Sequence, residues 1–114
     1  MEMAQTPDDA HNSEATLRAL GLSPNACRCY LVLMSYTPSP LQASEIATHA
    51  KQKPSSTYRA LRELTTKGFV REHRLVGANR YWAEPLTDAL DNYALYQRQL
   101  ARPLLRLQRR QEQE

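Results

Sequence analysis

The sequence predicts a mainly α domain with a small β-hairpin, followed by a long C-terminal helix. Its 114 residues suit one domain, and its composition, 41% hydrophobic and 24% charged, is that of a globular chain. Apolar residues recur at helical spacing through most of the chain, whereas turn residues around Gly77 separate two short segments suited to paired strands. After Pro85, apolar residues continue at heptad spacing almost to the end.

The first 50 residues predict an arm and three helices. Residues 1–12 are polar and have little to bury, so they predict a flexible arm, and residues 14–20 form a short helix. Ser23 is the expected N-cap of the next helix, 24–35, which has proline at its first position. This helix carries two apolar stripes, so we expect it to be covered on two sides, by its own domain and by a partner. The first stripe is Cys27, Tyr30, Leu31 and Met34, and the second is Ala26, Cys29 and Leu33. A loop with two prolines precedes a third, short helix over 41–50.

The following segment predicts one more helix and the hairpin. Ser55 is expected to cap a helix over 55–67, which a glycine ends. Two strands, 69–74 and 80–83, flank a turn at 77–79 whose residues favour a hairpin. Helix, helix, short helix, turn, helix and hairpin is the element order of a winged helix-turn-helix, in which the hairpin is the wing.

Positive charge is concentrated in one part of the chain. The net charge is only +3, but residues 51–80 hold eight Lys or Arg against two acids, about +6. One side of the 55–67 helix is apolar, and the other carries Ser55, Ser56, Arg59, Arg62, Glu63 and Thr66. Hydroxyls near the start followed by arginines suit a recognition helix, because short groups fit where its N-terminus meets DNA and long donors reach bases or phosphates. The candidate DNA-binding residues are Lys51, Lys53, Ser55, Ser56, Tyr58, Arg59, Arg62, Arg74, Asn79 and Arg80.

Several short motifs resemble the TrmB family of transcriptional regulators. They are Leu20–Ser23, Tyr30–Leu33, Ala43–Ala47, Tyr58–Leu61, Lys67–Val70 and Tyr81–Pro85. The resemblance covers about residues 16–90 and implies a winged helix-turn-helix that binds DNA. The sequence departs from the family pattern in two places. The turn reads Ala50-Lys51-Gln52-Lys53-Pro54 instead of Ala-Gly-Val-Pro-Arg, and the threonine usual at the start of the short helix is replaced near Gln42. The family's sugar-binding C-terminal domain is not matched, so sugar sensing is not implied.

The last segment predicts a dimerisation helix. A seam with spacing 4, 3, 4, 3, 4, 3 comprises Leu86, Leu90, Tyr93, Gln97, Leu100, Leu104 and Leu107. Such a helix is roughly 40 Å long, too long to pack wholly on its own domain, so we expect it to pair with a second copy. The alternative is a helix folded back on its own domain. Pro103 should kink or divide it near Gln99. For the arginines at its basic end, a solvated face is expected ahead of DNA contact.

These predictions describe a homodimeric, sequence-specific DNA-binding regulator, expected to be a repressor on a palindromic operator. Its parts are an arm (1–12), the winged helix-turn-helix (13–85) and the dimerisation helix (86–114). The alternative is a winged-helix module that binds a protein partner. An enzyme is not expected, because the three histidines are scattered and no phosphate-binding loop, carboxylate pair or metal cluster appears. We expect no cofactor and no metal, and the sequence specifies no small-molecule effector.

The two cysteines and the hydropathy pattern indicate a cytoplasmic protein. Cys27 and Cys29 lie two residues apart on a helix and point to different sides, so we expect reduced thiols rather than a disulfide. Cys27 should be core packing, which leaves Cys29 as the better candidate for a redox sensor. No apolar run approaches 18 residues and the N-terminus is polar, so neither a membrane segment nor a signal peptide is expected.

Overall fold

The computed structural model describes residues 7–113, with side chains from residue 12 onward. Four helices come first, then a two-stranded antiparallel hairpin and a long final helix. The elements are α1 (Pro7–Ala19), α2 (Pro24–Ser35), α3 (Ala43–Ala50), α4 (Pro54–Lys67), β1 (Val70–Leu75), β2 (Ala78–Ala83) and α5 (Leu86–Glu112). This order confirms the predicted fold class, a winged helix-turn-helix with a long C-terminal helix.

Helix α2 is the centre of the core, packed against α1, α3, α4 and the wing. The Tyr30 ring meets Phe69 edge-on at 5.5 Å between centroids, and the Tyr30 hydroxyl donates to the Glu84 carbonyl at 3.0 Å. Residues of both predicted stripes, such as Tyr30 and Leu33, are buried within this one domain. The second stripe therefore needs no partner chain to cover it. Met34, at the end of the first stripe, remains exposed.

Two helix starts differ from the sequence prediction. Helix α1 begins at Pro7, so the helix takes in residues 7–12 that the polar composition had placed in a flexible arm; residues 1–6 of that arm lie outside the described part of the chain. Helix α3 begins at Ala43 rather than Leu41. Leu41 instead forms an isolated bridge to Tyr81, with N–H···O distances of 2.9 and 2.8 Å. This pairing joins the wing to the segment before α3.

The wing is longer and its turn tighter than the sequence predicted. Pairing runs from Val70 opposite Ala83 to Leu75 opposite Ala78, which leaves a two-residue turn, Val76 and Gly77. Gly77 has φ +94°, a conformation that residues with a Cβ rarely adopt. Because Gly77 allows the chain to reverse direction at that position, Ala78 and Asn79 can already pair as part of β2. The predicted three-residue turn at 77–79 was therefore wrong.

Helix α5 is attached to the domain by its first three turns. Ala89 is buried, and the Tyr93 ring lies 5.4 Å from that of Phe69. From residue 97 to 113 every residue is exposed except the half-buried Ala101. Pro103 does not divide the helix, which runs unbroken from Leu86 to Glu112.

Candidate nucleic-acid interface

The turn before α4 is held in place by Gln52. Its backbone N–H donates to the Ala47 carbonyl at 2.9 Å, and its side-chain amide donates to the Asn25 carbonyl at 3.2 Å. The side-chain oxygen accepts from Thr57 Oγ1 at 3.3 Å and from Cys29 Sγ at 3.4 Å. Gln52 therefore connects α2, α3 and the first turn of α4. Sequence reasoning missed this residue, because a polar side chain in a turn carries no local sign of long-range partners.

Lys51 occupies a left-handed conformation in the same turn, with φ 57° and ψ 50°. A residue with a Cβ is disfavoured there by roughly 1–2 kcal/mol. This is the position where the related family pattern has glycine. The chain thus has an exposed cation at a position where glycine would be less strained.

Helix α4 begins without a side-chain cap. Its N-cap is Lys53, whose side chain makes no capping bond, and Pro54 is the first helical residue. Ser55 is consequently not the cap that the sequence predicted but lies inside the first turn. Within the described residues, neither the hydroxyls nor the backbone N–H groups of Ser55 and Ser56 have an acceptor. The positive end of the helix dipole and these free donors therefore face solvent together.

Seven of the eight cations of residues 51–80 fall into two groups, and the eighth, Arg74, is exposed with its Nε 4.0 Å from Glu72 Oε2. Lys67 Nζ contacts Glu63 Oε2 at 3.0 Å and the Gly21 carbonyl at 2.9 Å, and Arg71 Nε contacts Glu84 at 3.1 Å. Lys67 is half-buried and Arg71 is exposed, but each is paired with an acid of its own chain. A second group has no acid within salt-bridge distance among the described residues: Lys51, Lys53, Arg59, Arg62 and Arg80. All of the second group are exposed except the half-buried Arg80.

Glu63 is not part of the exposed α4 face on which the sequence had placed it. Its carboxylate accepts from the Ser23 backbone N–H at 2.9 Å and from Ser23 Oγ at 2.6 Å, in addition to Lys67. Partial burial acts to raise the pKa of Glu63, but the bonds from Ser23 and Lys67 outweigh it and lower the pKa. The residue therefore fastens α4 to the start of α2. Because Glu63 does not belong to the exposed face of α4, that face is more positive than the sequence predicted.

A cleft of about 340 Å³ separates α4 from the wing. It is lined by Tyr58, Leu61, Arg62, Thr65, Glu72, Arg74, Asn79 and Tyr81, which include four of the predicted contacts. Glu72 organises its wing side: it accepts from Asn79 Nδ2 at 2.8 Å and from the Tyr81 hydroxyl at 3.3 Å, and lies 4.0 Å from Arg74 Nε. Burial, followed by the charge of Glu72, raises the pKa of Tyr81.

Arg80 lies on the other face of the hairpin. It pairs with His73 in the strand register, whereas Arg74 pairs with Asn79. Alternate residues of a strand point to opposite faces, so Arg80 is separated from the cleft. The structure therefore brings together Tyr58, Arg62, Arg74 and Asn79 but does not bring Arg80 to them.

The predicted dimerisation seam is largely exposed. Leu86, Leu90, Gln97, Leu100, Leu104 and Leu107 all lie at the surface of α5. Tyr93 differs, because its ring packs on Phe69, stacks on Tyr96 and lies 5.9 Å below Lys67 Nζ. Its hydroxyl also occupies the space where a side chain at Gly21 would begin. Tyr93 thus contributes to attaching α5 to its own domain.

Both cysteines are buried and free, and burial raises the pKa of each thiol to about 11. At neutral pH very little of either is thiolate, the reactive form. The described residues include no cluster of three His, Cys, Asp or Glu that would hold a metal ion. No helix in the described part of the chain is long and apolar enough to cross a membrane.

Comparison with known proteins agrees with this geometry. A family model described as "Sugar-specific transcriptional regulator TrmB" matches residues 17–85. TrmBL2, an archaeal chromatin protein with a novel mode of DNA binding, superposes with a TM-score of 0.70 at 19% identity, over 91% of this chain and 39% of its own. A MarR-family regulator from Silicibacter pomeroyi gives 0.57 at 20% identity, over 81% and 66%.

A variant of MepR from Staphylococcus aureus, bound to an oligodeoxyribonucleotide, gives a TM-score of 0.59 at 11% identity, over 83% of this chain and 72% of its own. The chain spans less than half of TrmBL2 and shares the winged-helix fold with all three. The family and the MarR-type neighbours are transcription regulators and not enzymes. No curated protein sequence matches the chain significantly.

Proposed function

Because this chain belongs to the TrmB family of transcriptional regulators, we propose that it is a homodimeric repressor that occupies a palindromic DNA operator. Residues 13–85 form the DNA-binding domain in this proposal, and residues 86–114 form the dimerisation helix. Repression follows from occupancy, because a bound dimer at a promoter excludes other proteins from the same duplex. The neighbour bound to an oligodeoxyribonucleotide, a variant of MepR, supports DNA as the ligand of this fold.

One observation carries the proposal: Lys51, Lys53 and Arg59, which have no acidic partner among the described residues, lie in the turn before α4 or in its first two turns, beside its uncapped start, whereas Lys67 and Arg71 are paired with Glu63 and Glu84. Lys51, Lys53 and the first-turn donors at Ser55 and Ser56 suit phosphate oxygens, which accept from N–H groups and attract positive charge. Arg59 follows one turn later and can reach base edges in the major groove. Arg62 and Arg74, at the cleft, extend the same positive surface toward the wing.

Two copies supply the symmetry that the proposal needs. The exposed leucines of α5 continue past the point where the helix leaves its own domain, and pairing with a second copy buries them. Two α4 helices about 34 Å apart then meet successive major grooves, which corresponds to a palindromic site. One such module alone binds weakly, and two together bind with useful affinity.

The experiment begins with selection of bound sequences from a random duplex pool, for which a palindromic consensus is expected. Arg59→Ala should then weaken binding to that consensus by about 1–3 kcal/mol per half-site, measured by fluorescence anisotropy. Arg71→Ala is the matched control, because Arg71 is held by Glu84 and should leave operator affinity unchanged. Equal operator affinity for Arg59→Ala and the wild-type chain would remove Arg59 from the interface, and a non-palindromic consensus would contradict the dimeric repressor.

A further inference from the structure

The outer half of α5 carries a second concentration of positive charge. Arg98, Arg102, Arg106 and Arg109, here called the outer arginine face, fall within an arc of about 80° at 100° per residue. They extend over roughly 16 Å of helix. All four are exposed, and none has an acidic partner among the described residues. The one acid of residues 97–113 is Glu112.

This arrangement costs helix stability if nothing binds it. Exposed helix faces usually alternate acids and bases at i and i+4, which is mildly stabilising, whereas like charges at that spacing are destabilising by a few tenths of a kcal/mol. Arg98, Arg102 and Arg106 are two successive like-charge pairs of this kind. The helix dipole favours cations in the last turn, which accounts for Arg109 and Arg110 but not for the other three.

The outer arginine face stays open in the proposed dimer. At 100° per residue its centre lies roughly opposite that of Leu100, Leu104 and Leu107, so pairing through the leucines leaves the arginines at the surface. The face is also remote from the start of α4. Helix α5 is attached to the other end of α4, where Asn92 Nδ2 donates to the Gly68 carbonyl at 2.9 Å. Those two ends of α4 are roughly 20 Å apart.

We propose that the outer arginine face is a second binding site for duplex DNA, which contacts the phosphate backbone without reading sequence. Phosphates supply the missing negative charge, and arginine suits them because its planar group donates two bonds to one phosphate. A lipid surface is the less suitable polyanion. Leu95 and Leu105 are the exposed apolar residues within this face, and they are ten residues, roughly 15 Å, apart. A helix that lies in a membrane needs a continuous apolar face, and in the proposed dimer the leucine face of α5 is buried against the second copy.

The test uses the full chain and a 40-base-pair duplex that lacks the selected operator. Affinity is measured by anisotropy over a range of salt concentrations. Arg102→Gln with Arg106→Gln should make the slope of log K against log salt less steep by about 1.8 per chain, because each lost phosphate contact contributes about 0.9. The matched control is Arg18→Gln with Arg28→Gln, which removes the same charge from exposed positions on α1 and α2 and should leave the slope unchanged. Glutamine is a good helix former, and circular dichroism checks that both variants fold.

An α5 variant whose slope equals that of the wild-type chain overturns the proposal. Equal loss of slope in the control variant also overturns it, because the effect would then come from net charge alone. Unchanged DNA binding with lost binding to phosphatidylglycerol vesicles would instead assign the face to lipid. The site is independent of the operator surface: Arg59→Ala should lose operator preference yet keep the part of the salt slope that depends on Arg102 and Arg106.

Discussion

Helices α2 and α4 both begin with proline, but side chains of the protein cap the N-terminus of α2 and leave that of α4 uncapped. At α2, Ser23 Oγ accepts from the Ala26 N–H at 3.2 Å, and Glu63 binds both the hydroxyl and the backbone N–H of Ser23. At α4, the N-cap is Lys53 and no side chain caps the helix. The positive end of α2 is thus neutralised by the protein itself, whereas that of α4 is open and surrounded by more positive charge.

The difference between the two N-termini indicates where a negatively charged ligand would stabilise the protein. An uncapped helix start flanked by lysines is less stable than a capped one, since the free N–H groups and the dipole both favour a negative neighbour. The chain supplies that neighbour at α2 in the form of Glu63. It does not supply one at α4, where we propose that a DNA phosphate takes the same role.

The largest expected effect comes from removing Glu63, the acid that binds at the N-terminus of α2. Glu63→Ala should lower the free energy of unfolding by about 2 kcal/mol, because it removes charge-assisted hydrogen bonds at a half-buried site. Urea denaturation followed by circular dichroism measures this. Glu45→Ala is the matched control: Glu45 also accepts from a helix-start N–H, that of Gln42, but is exposed, so its loss should cost less. If both variants lose the same unfolding free energy, the contact of Glu63 with the N-terminus of α2 stabilises the fold no more than an exposed cap does.

The same contact predicts a dependence on pH. The pKa of Glu63 is lower in the folded chain than in the unfolded chain, where it is about 4.3. Its stabilisation is therefore fully present above that pH and is lost as the pH falls through the folded-state pKa. The difference in unfolding free energy between the wild-type chain and Glu63→Gln should shrink when denaturation is repeated from pH 7 down to pH 3. A difference that stays constant over this range would mean that the carboxylate charge is not what Ser23 and Lys67 recognise.

The smallest effect comes from adding a side-chain cap to the N-terminus of α4. Lys53→Ser places a capping hydroxyl at α4 like that at α2, and should raise the unfolding free energy by about 1 kcal/mol. It should also weaken operator binding and reduce the salt slope by about 0.9 per chain, since one phosphate contact is lost. Lys53→Ala separates the two effects, because it removes the charge without adding a cap. If Lys53→Ser gains stability but keeps full DNA affinity, the start of α4 is not a phosphate site.

The same comparison shows how far local sequence signals carry. Ser23-Pro24 predicted the start of α2 correctly, because a cap and its proline are adjacent in the chain. At Pro54-Ser55 the order is reversed, so the proline becomes the first helical residue and the cap moves back to Lys53. The charge count of residues 51–80 indicated a DNA surface, yet it could not distinguish Arg59, which is free, from Arg71, which is bound to Glu84.

Long-range partners account for most of what the sequence did not predict. Gln52 contacts α2 from the turn before α4, Leu41 pairs with Tyr81, and Tyr93 packs on Phe69 instead of belonging wholly to an exposed seam. Each of these contacts joins residues at least 23 positions apart. The residue at either end carries no mark in its neighbours that would identify the other.

The sequence by itself determined the order of helices and strands, the basic segment and the heptad spacing of α5, because these depend on residues within a few positions of one another. Only the tertiary structure decided which charges remain free. Packing α2 against α4 brought Glu63 to Ser23, and packing α5 against the end of α4 directed Tyr93 to its own domain. An ion pair forms where folding brings two groups within about 4 Å, and that distance is a property of the assembled domain.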